Sequence, residues 1–538
     1  MTSLSPILLF VYNRPYQTIK ALKYLKKNRL CDKSNLIIFS DGFKKNNLDK
    51  KKVESVRFIL KNIQGFKSKK IYKREKNLGL FNNIISGLDT VFKKFDRAII
   101  LEDDLIVSKH FLKYMNIALD IYSSEKKVSS IHGWFCSHNK KLENTFFLRG
   151  SDIWGWATWK RSWKEFNRDP KYLLKKFDKN PNLIKKFNLQ NSYNYYGLLK
   201  KRAQKKNESW GILWNASNFI NEKFYLNFSN SLCINLGQDQ LGTHDNSNMG
   251  YFDQKLFNKK IIFSRQKIRE NLDAEKIKSD FFKKFYQNRT LGNLTSRVFS
   301  KIYKKLILKI KKISYSGPFE KWEDAIKKSK GYDDNKILKD VKKNTLISKK
   351  NLYYFERDGY LLKKNTIPND QLHLVLNTIN KKKRGLNIVD FGGSLGSTYF
   401  KMRDIFDQKY KNTWNIIEQT SFVNAGKKIF KEKNLNFYEN LKDIKNKKID
   451  IIILSGSLQY IEKPIQILEK MFKLKPEIII IERLPILKKL NKIEIYTQKS
   501  GSNSYPCWFF SPTALNPLFK KNNYDLLEVL SSEFDHNL

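Results

Sequence analysis

Short apolar runs alternate with amphipathic stretches along the first hundred residues of the chain. Continuous apolar runs cover residues 6–12, 35–40 and 97–101, and a helical spacing of apolar positions separates the first two at 18–26. Each run ends in polar residues. Strands that alternate with helices in this way are typical of an α/β fold with a mainly parallel sheet. The pattern therefore predicts an α/β domain in the first half of the chain.

The polar residues that end these runs are candidates for a binding site. In open α/β sheets, ligands bind beyond the carboxyl ends of the strands. The residues that the pattern assigns to this edge are Asn13, Arg14, Asp41, Glu102, Asp103 and Asp104. We therefore expect a site in the first domain that is lined by acids and one arginine.

The same alternation begins again in the second half of the chain. Apolar runs separated by helical stretches occupy residues 386–390, 413–417, 449–454 and 477–481. This pattern predicts a second α/β domain with its own parallel sheet.

A glycine-rich loop, DFGGSLG, follows the first run of this second series. It contains Asp390, Gly392, Gly393 and Gly396. Glycines let the backbone approach a ligand closely, and the start of the next helix offers free N–H groups. Glu418 ends the following run, near the offset of ~20 residues at which an acid binds ribose hydroxyls. Either NAD or S-adenosylmethionine is compatible with this pattern, and the absence of strict GxGxxG spacing favours S-adenosylmethionine.

The composition indicates folded domains with an unusually basic surface. The 538 residues include 104 Lys+Arg against 52 Asp+Glu, a net charge of +52, and 41% are hydrophobic. Such a charge can indicate binding to nucleic acid or to an anionic membrane. Because lysine occurs in nearly every segment, the alternative is a general property of the surface.

Several features favour a cytoplasmic protein. The apolar runs are far shorter than the ~20 residues needed to span a bilayer. The first residues carry no basic stretch of the kind found in signal peptides. The four cysteines are far apart and form no CxxC pair, which fits a reducing compartment.

Residues 297–313 combine an apolar stripe at helical spacing with many lysines. Such a helix can lie on an anionic membrane, here the inner face, or pack its stripe on a neighbouring domain. We treat it as part of a connector. The predicted organisation is a domain over 1–260, a connector over 261–315 and a second domain over 316–538.

The acids Glu102, Asp103 and Asp104 indicate metal chemistry. Three adjacent carboxylates repel one another unless a cation lies among them, and Mg²⁺ or Mn²⁺ bridging a diphosphate suits such hard oxygen ligands. The alternative is a solvated acidic turn before a helix that starts near Ser108.

Several ordered segments resemble the GT-A glycosyltransferases, namely PILLFVYNRP, IFSDG, KNLGLFNNIISGLD and AIILEDDLIVSKHFLKYMN. Within that group they are most similar to bacterial surface-polysaccharide enzymes distantly related to N-acetylglucosaminyltransferases. SDIWGWATWKRSWKEFN and ESWGILWNASNFI resemble acceptor-side segments, and GQDQLGTH resembles the closing segment. The resemblance covers roughly residues 5–250.

This resemblance implies a nucleotide-sugar donor and a divalent cation, Mn²⁺ or Mg²⁺. Asp41 is then expected to contact the nucleoside, with Asn13, Arg14 and Asp103 also on the donor. Glu102 and Asp104 are expected at the metal, Asp104 as the direct ligand, although the family pattern begins with Asp rather than Glu. His244 is either a further ligand or phosphate contact, or an ordinary surface histidine.

An inverting transfer needs a carboxylate that takes the proton of the acceptor hydroxyl. By the resemblance, Glu208 lies near the position of the base, and Asp152 and Asp239 are alternatives. The tryptophans of the acceptor-side segment either stack on sugars or fill the core; they are Trp154, Trp156, Trp159 and Trp163.

In the second half, IDIIILSGSLQYIEKP resembles the fourth-strand motif of Rossmann-type methyltransferases. Together with GPFEKWEDAIKKSKGYDDNKIL, YYFERDGYLL and YPCWFFSP it resembles S-adenosylmethionine-dependent methyltransferases found with bacterial polysaccharide genes, over roughly 316–530. The residues that this resemblance assigns to the cofactor are Asp390, Gly392, Gly393, Gly396, Glu418 and Ser455.

Together, the two resemblances imply a bifunctional enzyme. It would transfer a sugar to a surface-glycan or lipid-linked acceptor and methylate the same glycan. A nucleic-acid methyltransferase with a basic binding domain is one alternative, but SGSLQY lacks an NPPY-like motif and no nucleic-acid partner is expected. A glycosyltransferase with a non-catalytic second domain is the other.

Overall fold

The computed structural model of the protein describes residues 4–44, 46–178, 180–236, 256–284, 314–330, 334–350, 354–363, 384–400, 412–444, 448–487, 491–500 and 503–526. The chain forms two compact units, Met1–Asn293 and Leu294–Leu538. Each unit contains a sheet rich in parallel strands, so the predicted α/β class is confirmed. Within the described ranges, we find no helix with the length and apolar character needed to cross a membrane.

The first unit alternates strands and helices through its first half. The elements up to the fourth strand are β1 (Ile7–Val11), α1 (Pro15–Lys26), β2 (Asn35–Ser40), α2 (Asn47–Asn62), β3 (Ser68–Lys73), α3 (Gly79–Val91) and β4 (Arg97–Glu102). The remaining strands are β5 (Leu105–Val107), β6 (Val128–His132), β7 (Thr145–Arg149), β8 (Trp156–Trp159), β9 (Phe224–Phe228) and β10 (Cys233–Asn235).

Helices of the first unit follow the same order along the chain. They are α4 (Phe111–Ile121), α5 (Lys160–Lys164), α6 (Pro170–Phe177), α7 (Pro181–Phe187), α8 (Tyr195–Ala203), α9 (Trp210–Ile220) and α10 over residues 272–284. Proline begins α1, α6 and α7, where a missing N–H costs no hydrogen bond.

The large sheet of the first unit has the order β3-β2-β1-β4-β8-β6-β9-β7. Strands β3, β2, β1 and β4 are parallel, and β8 pairs antiparallel to both β4 and β6. All five residues of β1 are buried, which explains its continuous apolar run. Because β1 lies between β2 and β4, the carboxyl ends of these three strands meet at one edge.

Three of the four acceptor-side tryptophans belong to the core. Trp156, Trp159 and Trp163 are buried, and the rings of Trp156 and Trp214 lie 5.6 Å apart between centroids. Trp154 is half-buried and meets Trp134 edge to face. The core interpretation is confirmed for the first three.

Residues beyond 260 contribute to the first unit. Asn271 N donates to Phe147 O at 2.9 Å, Gln266 N donates to Tyr122 Oη at 2.8 Å, and Lys278 of α10 forms an ion pair with Asp152. The unit therefore extends past the predicted boundary at residue 260. The basic stripe at 297–313 lies outside the described residues.

The second unit contains a five-stranded parallel sheet and, separate from it, several antiparallel strands. Before and within this sheet lie β11 (Ser314–Phe319), α11 (Trp322–Lys327), α12 (Asp334–Lys350), β12 (Tyr354–Arg357), β13 (Tyr360–Lys363), β14 (Asn387–Phe391), β15 (Thr413–Ile417), α13 (Thr420–Ile429) and β16 (Leu435–Tyr438). The elements that follow are β17 (Ile451–Ser455), α14 (Pro464–Lys473), β18 (Ile478–Glu482), β19 (Glu494–Ser500), β20 (Asn503–Phe509) and α15 (Pro512–Lys521).

The parallel sheet has the order β16-β15-β14-β17-β18. Its first strand along the chain, β14, is central and pairs in parallel with β15 and β17. Strands β11, β19 and β20 form a separate antiparallel sheet, and β12 and β13 form a hairpin. The four strands predicted in this half are observed within a few residues of their predicted bounds.

Candidate functional site

The first sheet brings most of the predicted strand-end residues to one edge. Tyr12, directly after β1, donates its backbone N–H to Asp103 Oδ2 at 3.0 Å. On the other side, Asp41 N donates to Val11 O at 3.0 Å. The ends of β2, β1 and β4 are therefore connected by hydrogen bonds, as the parallel pattern predicts.

The acidic cluster at this edge is balanced in part by Arg14. Its Nη1 lies 2.9 Å from Asp104 Oδ2. Burial and the two neighbouring acids raise the pKa of Glu102 to about 8. Burial raises the pKa of Asp103 to about 7, with Arg14 opposing and Asp104 adding to the shift. One guanidinium is not enough to favour the charged form of all three acids.

Asp104 also has the free oxygen that a ligand at this edge requires. Its Oδ1 is buried and has no hydrogen-bond partner among the described residues. Across all the residues that the structure describes, no three His, Cys, Asp or Glu side chains form a group able to hold a metal. Asp104 thus fits a single protein ligand to a divalent ion whose other ligands come from a bound diphosphate or water. His244 lies outside the described residues.

Asp41 accepts hydrogen bonds from the backbone of the next residue and of the residues where α3 begins. Its Oδ1 accepts from Gly42 N and Leu78 N, both at 2.8 Å, and its Oδ2 accepts from Gly79 N at 3.1 Å. Burial raises its pKa, and these three donors oppose the shift. The carboxylate therefore holds the loop to the end of β2 and keeps little accepting capacity for a nucleoside.

Glu208 lies at the same edge as Asp41. Its Oε2 is 3.8 Å from the position that a Cβ on Gly79 would take, and its side chain is exposed. Ser209, the next residue, caps α9. The structure thus brings an open carboxylate to the site from a segment more than a hundred residues away in sequence.

Asp152, the alternative base, is paired inside the first unit. Lys278 Nζ contacts Asp152 and donates to Tyr225 Oη at 2.9 Å, and only 2% of the lysine side chain is exposed. Burial opposes the ammonium charge, but Asp152 together with Tyr225 and Tyr195 outweighs it, and the pKa of Lys278 rises well above its usual range. The carboxylate of Asp152 is therefore committed to a structural ion pair. Asp239 lies outside the described residues.

The glycine loop of the second unit surrounds Asp390 at the end of β14. Asp390 is 1% exposed and accepts a hydrogen bond from Trp414 Nε1 at 3.2 Å. Burial raises its pKa to about 7. A Cβ on Gly393 would lie 2.6 Å from the Asp390 carboxyl carbon, and one on Gly392, at φ +70°, would lie 2.5 Å from Ser457 Cβ. These positions therefore require glycine.

Glu418 and Ser455 lie at the ends of the strands on either side of β14. Glu418 Oε1 accepts from Ser394 N at 3.1 Å, which connects the end of β15 to the glycine loop. Ser455 Oγ donates to Glu482 Oε2 at 2.8 Å. Gly396, at φ +88°, closes the loop. All six predicted cofactor residues thus lie along one edge formed by β15, β14 and β17.

The β12–β13 hairpin contacts this edge through residues that the sequence analysis did not single out. Asp358 Oδ2 in its turn lies 2.6 Å from Arg483 Nη1, and Arg483 Nη2 donates to Ser455 O at 2.6 Å. On the other side, the buried Glu356 accepts from the Ser397 hydroxyl. The Asp-Gly turn signals a hairpin in the sequence, but nothing in the sequence indicates which edge the hairpin contacts.

Comparisons with known proteins give weak structural likenesses. No protein-family model matches the chain, and no curated protein matches it. The chain is similar to Staphylococcus aureus TarS 1-349 at 10% identity and a TM-score of 0.26, over 44% of this chain and 62% of that one. It is also similar to the glycosyltransferase GlyE of Streptococcus pneumoniae TIGR4 at 10% identity and a TM-score of 0.22, over 88% and 90%.

A UDP-glucose pyrophosphorylase complexed with UDP-glucose is similar at 10% identity and a TM-score of 0.20, over 42% of this chain and 90% of that one. These neighbours include enzymes of sugar-nucleotide chemistry, and none of the three is described as a methyltransferase. Scores of this size carry no weight for assigning a function, which we infer from the residues.

Proposed function

We propose that the first unit is a GT-A glycosyltransferase that uses a nucleotide-sugar donor and a divalent cation. The observation that carries this proposal is the buried Oδ1 of Asp104, which has no hydrogen-bond partner among the described residues and lies beside Arg14 at the edge of a parallel sheet. An uncompensated buried carboxylate oxygen is costly unless a ligand completes it. A cation with a diphosphate is a ligand whose charge suits the three acids and the arginine of this edge.

In this mechanism, Asp104 would hold the cation and Arg14 would bind the diphosphate. The bound cation supplies charge neutralisation for the departing nucleoside diphosphate. Glu208 accepts the proton of the acceptor hydroxyl. The oxygen of that hydroxyl forms a bond to the sugar carbon, and the bond between this carbon and the diphosphate breaks. Glu208 suits this step because its side chain is exposed, whereas Asp152 is held by Lys278.

For the second unit, we propose a methyltransferase that binds S-adenosylmethionine, the donor of the methyl group. The strand order with β14 central and the glycine loop directly after it support this proposal. Gly392 and Gly393 let the loop pack tightly around Asp390 and Ser457 at the end of β14. The carboxylate of Glu418, at the next strand end, suits the ribose hydroxyls of the cofactor. No side chain is assigned as a base, since transfer from a sulfonium can proceed by positioning alone.

The acceptor that we propose for both units is a surface glycan or a lipid-linked glycan. This part of the proposal rests on the sequence resemblances. Two active sites on one chain would raise the effective concentration of the first product at the second site.

A donor screen tests the glycosyltransferase proposal. The full chain is incubated with Mn²⁺ and a panel of nucleotide sugars, and release of the nucleotide is measured. We expect release with one donor class, loss of release in Asp104→Asn, and retention in Asp169→Asn, which changes an exposed helix-capping acid. No release with any donor, together with no nucleotide binding, would overturn the proposal.

Calorimetric titration tests the methyltransferase proposal. We expect heat of binding when S-adenosylmethionine is added to the parent chain, and none with Asp390→Ala. Absence of heat from the parent would favour a non-catalytic second unit.

A further inference from the structure

The start of α2 contains a buried carboxylate that the sequence analysis did not single out. Asp49 is 6% exposed and accepts three hydrogen bonds, each of 2.6 Å, from Tyr12 Oη, Asn13 Nδ2 and Lys44 N. A buried charge is stable only when it is well paired or hydrogen-bonded. The N-terminal turn of the helix adds a favourable dipole. Asp49 therefore remains a strong acceptor for all three groups.

The three donors belong to the two loops that line the donor edge. Tyr12 and Asn13 follow β1 and precede Arg14, whereas Lys44 lies in the loop that follows Asp41. Tyr12 also donates its backbone N–H to Asp103 at 3.0 Å. One residue, Tyr12, thus connects Asp49 to the acidic cluster.

Capping of α2 does not require these contacts. Asn46 is the N-cap, and its side chain accepts from Asp49 N at 2.7 Å. The carboxylate of Asp49 points instead to the two loops. Its bonds join residues that are 36 and 37 positions apart in sequence.

We propose that Asp49 is a positioning residue that holds the β1 and β2 loops in the conformation that binds the nucleotide part of the donor. The inference rests on the proposed glycosyltransferase function. It assigns to Asn13 a fixed orientation, with its amide nitrogen on Asp49 and its carbonyl oxygen left for a ligand. Loops fixed before binding lose less entropy when the donor binds.

Asp49→Asn tests this inference in the full chain. The asparagine keeps the size of the side chain. However, its amide NH₂ is a donor, so it cannot accept the hydrogen bonds that one oxygen of Asp49 accepts. Nucleotide binding is measured with UDP and GDP as probes. For the nucleotide that the parent binds, we expect the dissociation constant to rise about tenfold, which corresponds to the loss of one charge-assisted hydrogen bond. KM for the donor should rise by a similar factor, with kcat within about threefold at saturation.

Two further variants separate positioning from general stability. Tyr12→Phe removes one of the three bonds and should weaken nucleotide binding less than Asp49→Asn. Asp169→Asn changes a carboxylate at the start of α6 that accepts from Lys171 N, and it should leave nucleotide binding unchanged.

The outcomes distinguish the two proposals. If the parent binds neither UDP nor GDP and releases no nucleotide from any donor, the glycosyltransferase proposal fails. If the parent binds nucleotide and Asp49→Asn binds it equally well, or loses only thermal stability, the positioning role is overturned.

Discussion

At the edge of the first sheet, Asp41 and Asp104 are held by other groups of the protein, whereas at the edge of the second sheet Asp390 accepts one side-chain hydrogen bond from the described residues. Asp41 accepts three backbone N–H groups and Asp104 pairs with Arg14. Asp390, near the end of the central strand of the second sheet, accepts from the indole of Trp414. The buried carboxylates of the two sites thus differ in the number and kind of groups that stabilise them.

The difference shows how the environment of a carboxylate indicates its use. An acid with several hydrogen-bond donors organises the loops that supply them, as Asp41 and Asp49 do. An acid with few donors and deep burial has a raised pKa, as Asp390 does. Residues of the first kind shape a site, and residues of the second kind respond to what binds there. The predictions below test this contrast.

The largest effect is expected for the open carboxylate of the first site. Glu208→Gln should lower kcat for sugar transfer by about 10²–10⁴-fold, the usual contribution of a general base, with nucleotide binding unchanged. Steady-state kinetics with the active donor measures this loss. In contrast, Asp152→Asn should lower stability rather than the rate of the folded enzyme. The reverse result would assign the base to Asp152.

A second prediction concerns the paired carboxylate. Lys278→Met leaves Asp152 without its cation and should lower the free energy of unfolding of the first unit by about 3–5 kcal/mol. Urea unfolding followed by circular dichroism measures the change. Combining Lys278→Met with Asp152→Asn should recover part of this loss, because both charges are then absent. Simple additivity of the two losses would argue against a coupled pair.

The raised pKa of Asp390 predicts a pH dependence of stability. The carboxyl titrates near about 3.9 in the unfolded chain and at about 7 in the folded unit. Between these values the folded state binds the extra proton, so this group's stabilisation is lost as the pH rises from about 4 to 7. In the parent, the free energy of unfolding should therefore be lower at pH 8 than at pH 4 by an amount on the order of 3 kcal/mol from this group. Asp390→Asn should remove that difference. Parallel pH profiles of unfolding that do not differ between parent and variant would contradict this.

The smallest effect is expected for Trp414, the one side-chain donor to Asp390 among the described residues. Trp414→Phe removes the indole N–H and should destabilise the second unit by about 1–2 kcal/mol. Because the charged carboxylate loses its donor, the pKa of Asp390 should rise further. The midpoint of the pH profile should therefore move to higher pH than in the parent, and a midpoint that stays in place would show that the bond is weak.

The sequence predicts three strands of the first sheet, β1, β2 and β4, and four of the second, β14, β15, β17 and β18, because each is a short apolar run. It does not predict β3, whose residues are mostly exposed. A short continuous apolar run such as that of β1 or β17 is typical of a strand buried in a parallel sheet. The residues at the strand ends could be assigned to one edge for the same reason, since parallel strands end together. The pairings Asp49–Tyr12 and Lys278–Asp152 could not be predicted, because acids and lysines are abundant and no pattern selects partners.

The sequence by itself determined the two α/β units and the sets of polar and glycine residues at their strand ends. Hydrophobic periodicity carries that information, since it depends only on which side chains must leave water. The tertiary structure alone decided which carboxylates are open and which are paired. Lys278 reaches Asp152 across 126 residues, and Glu208 lies beside Gly79. Such contacts depend on the packing of distant helices on the sheet, which a local pattern does not encode.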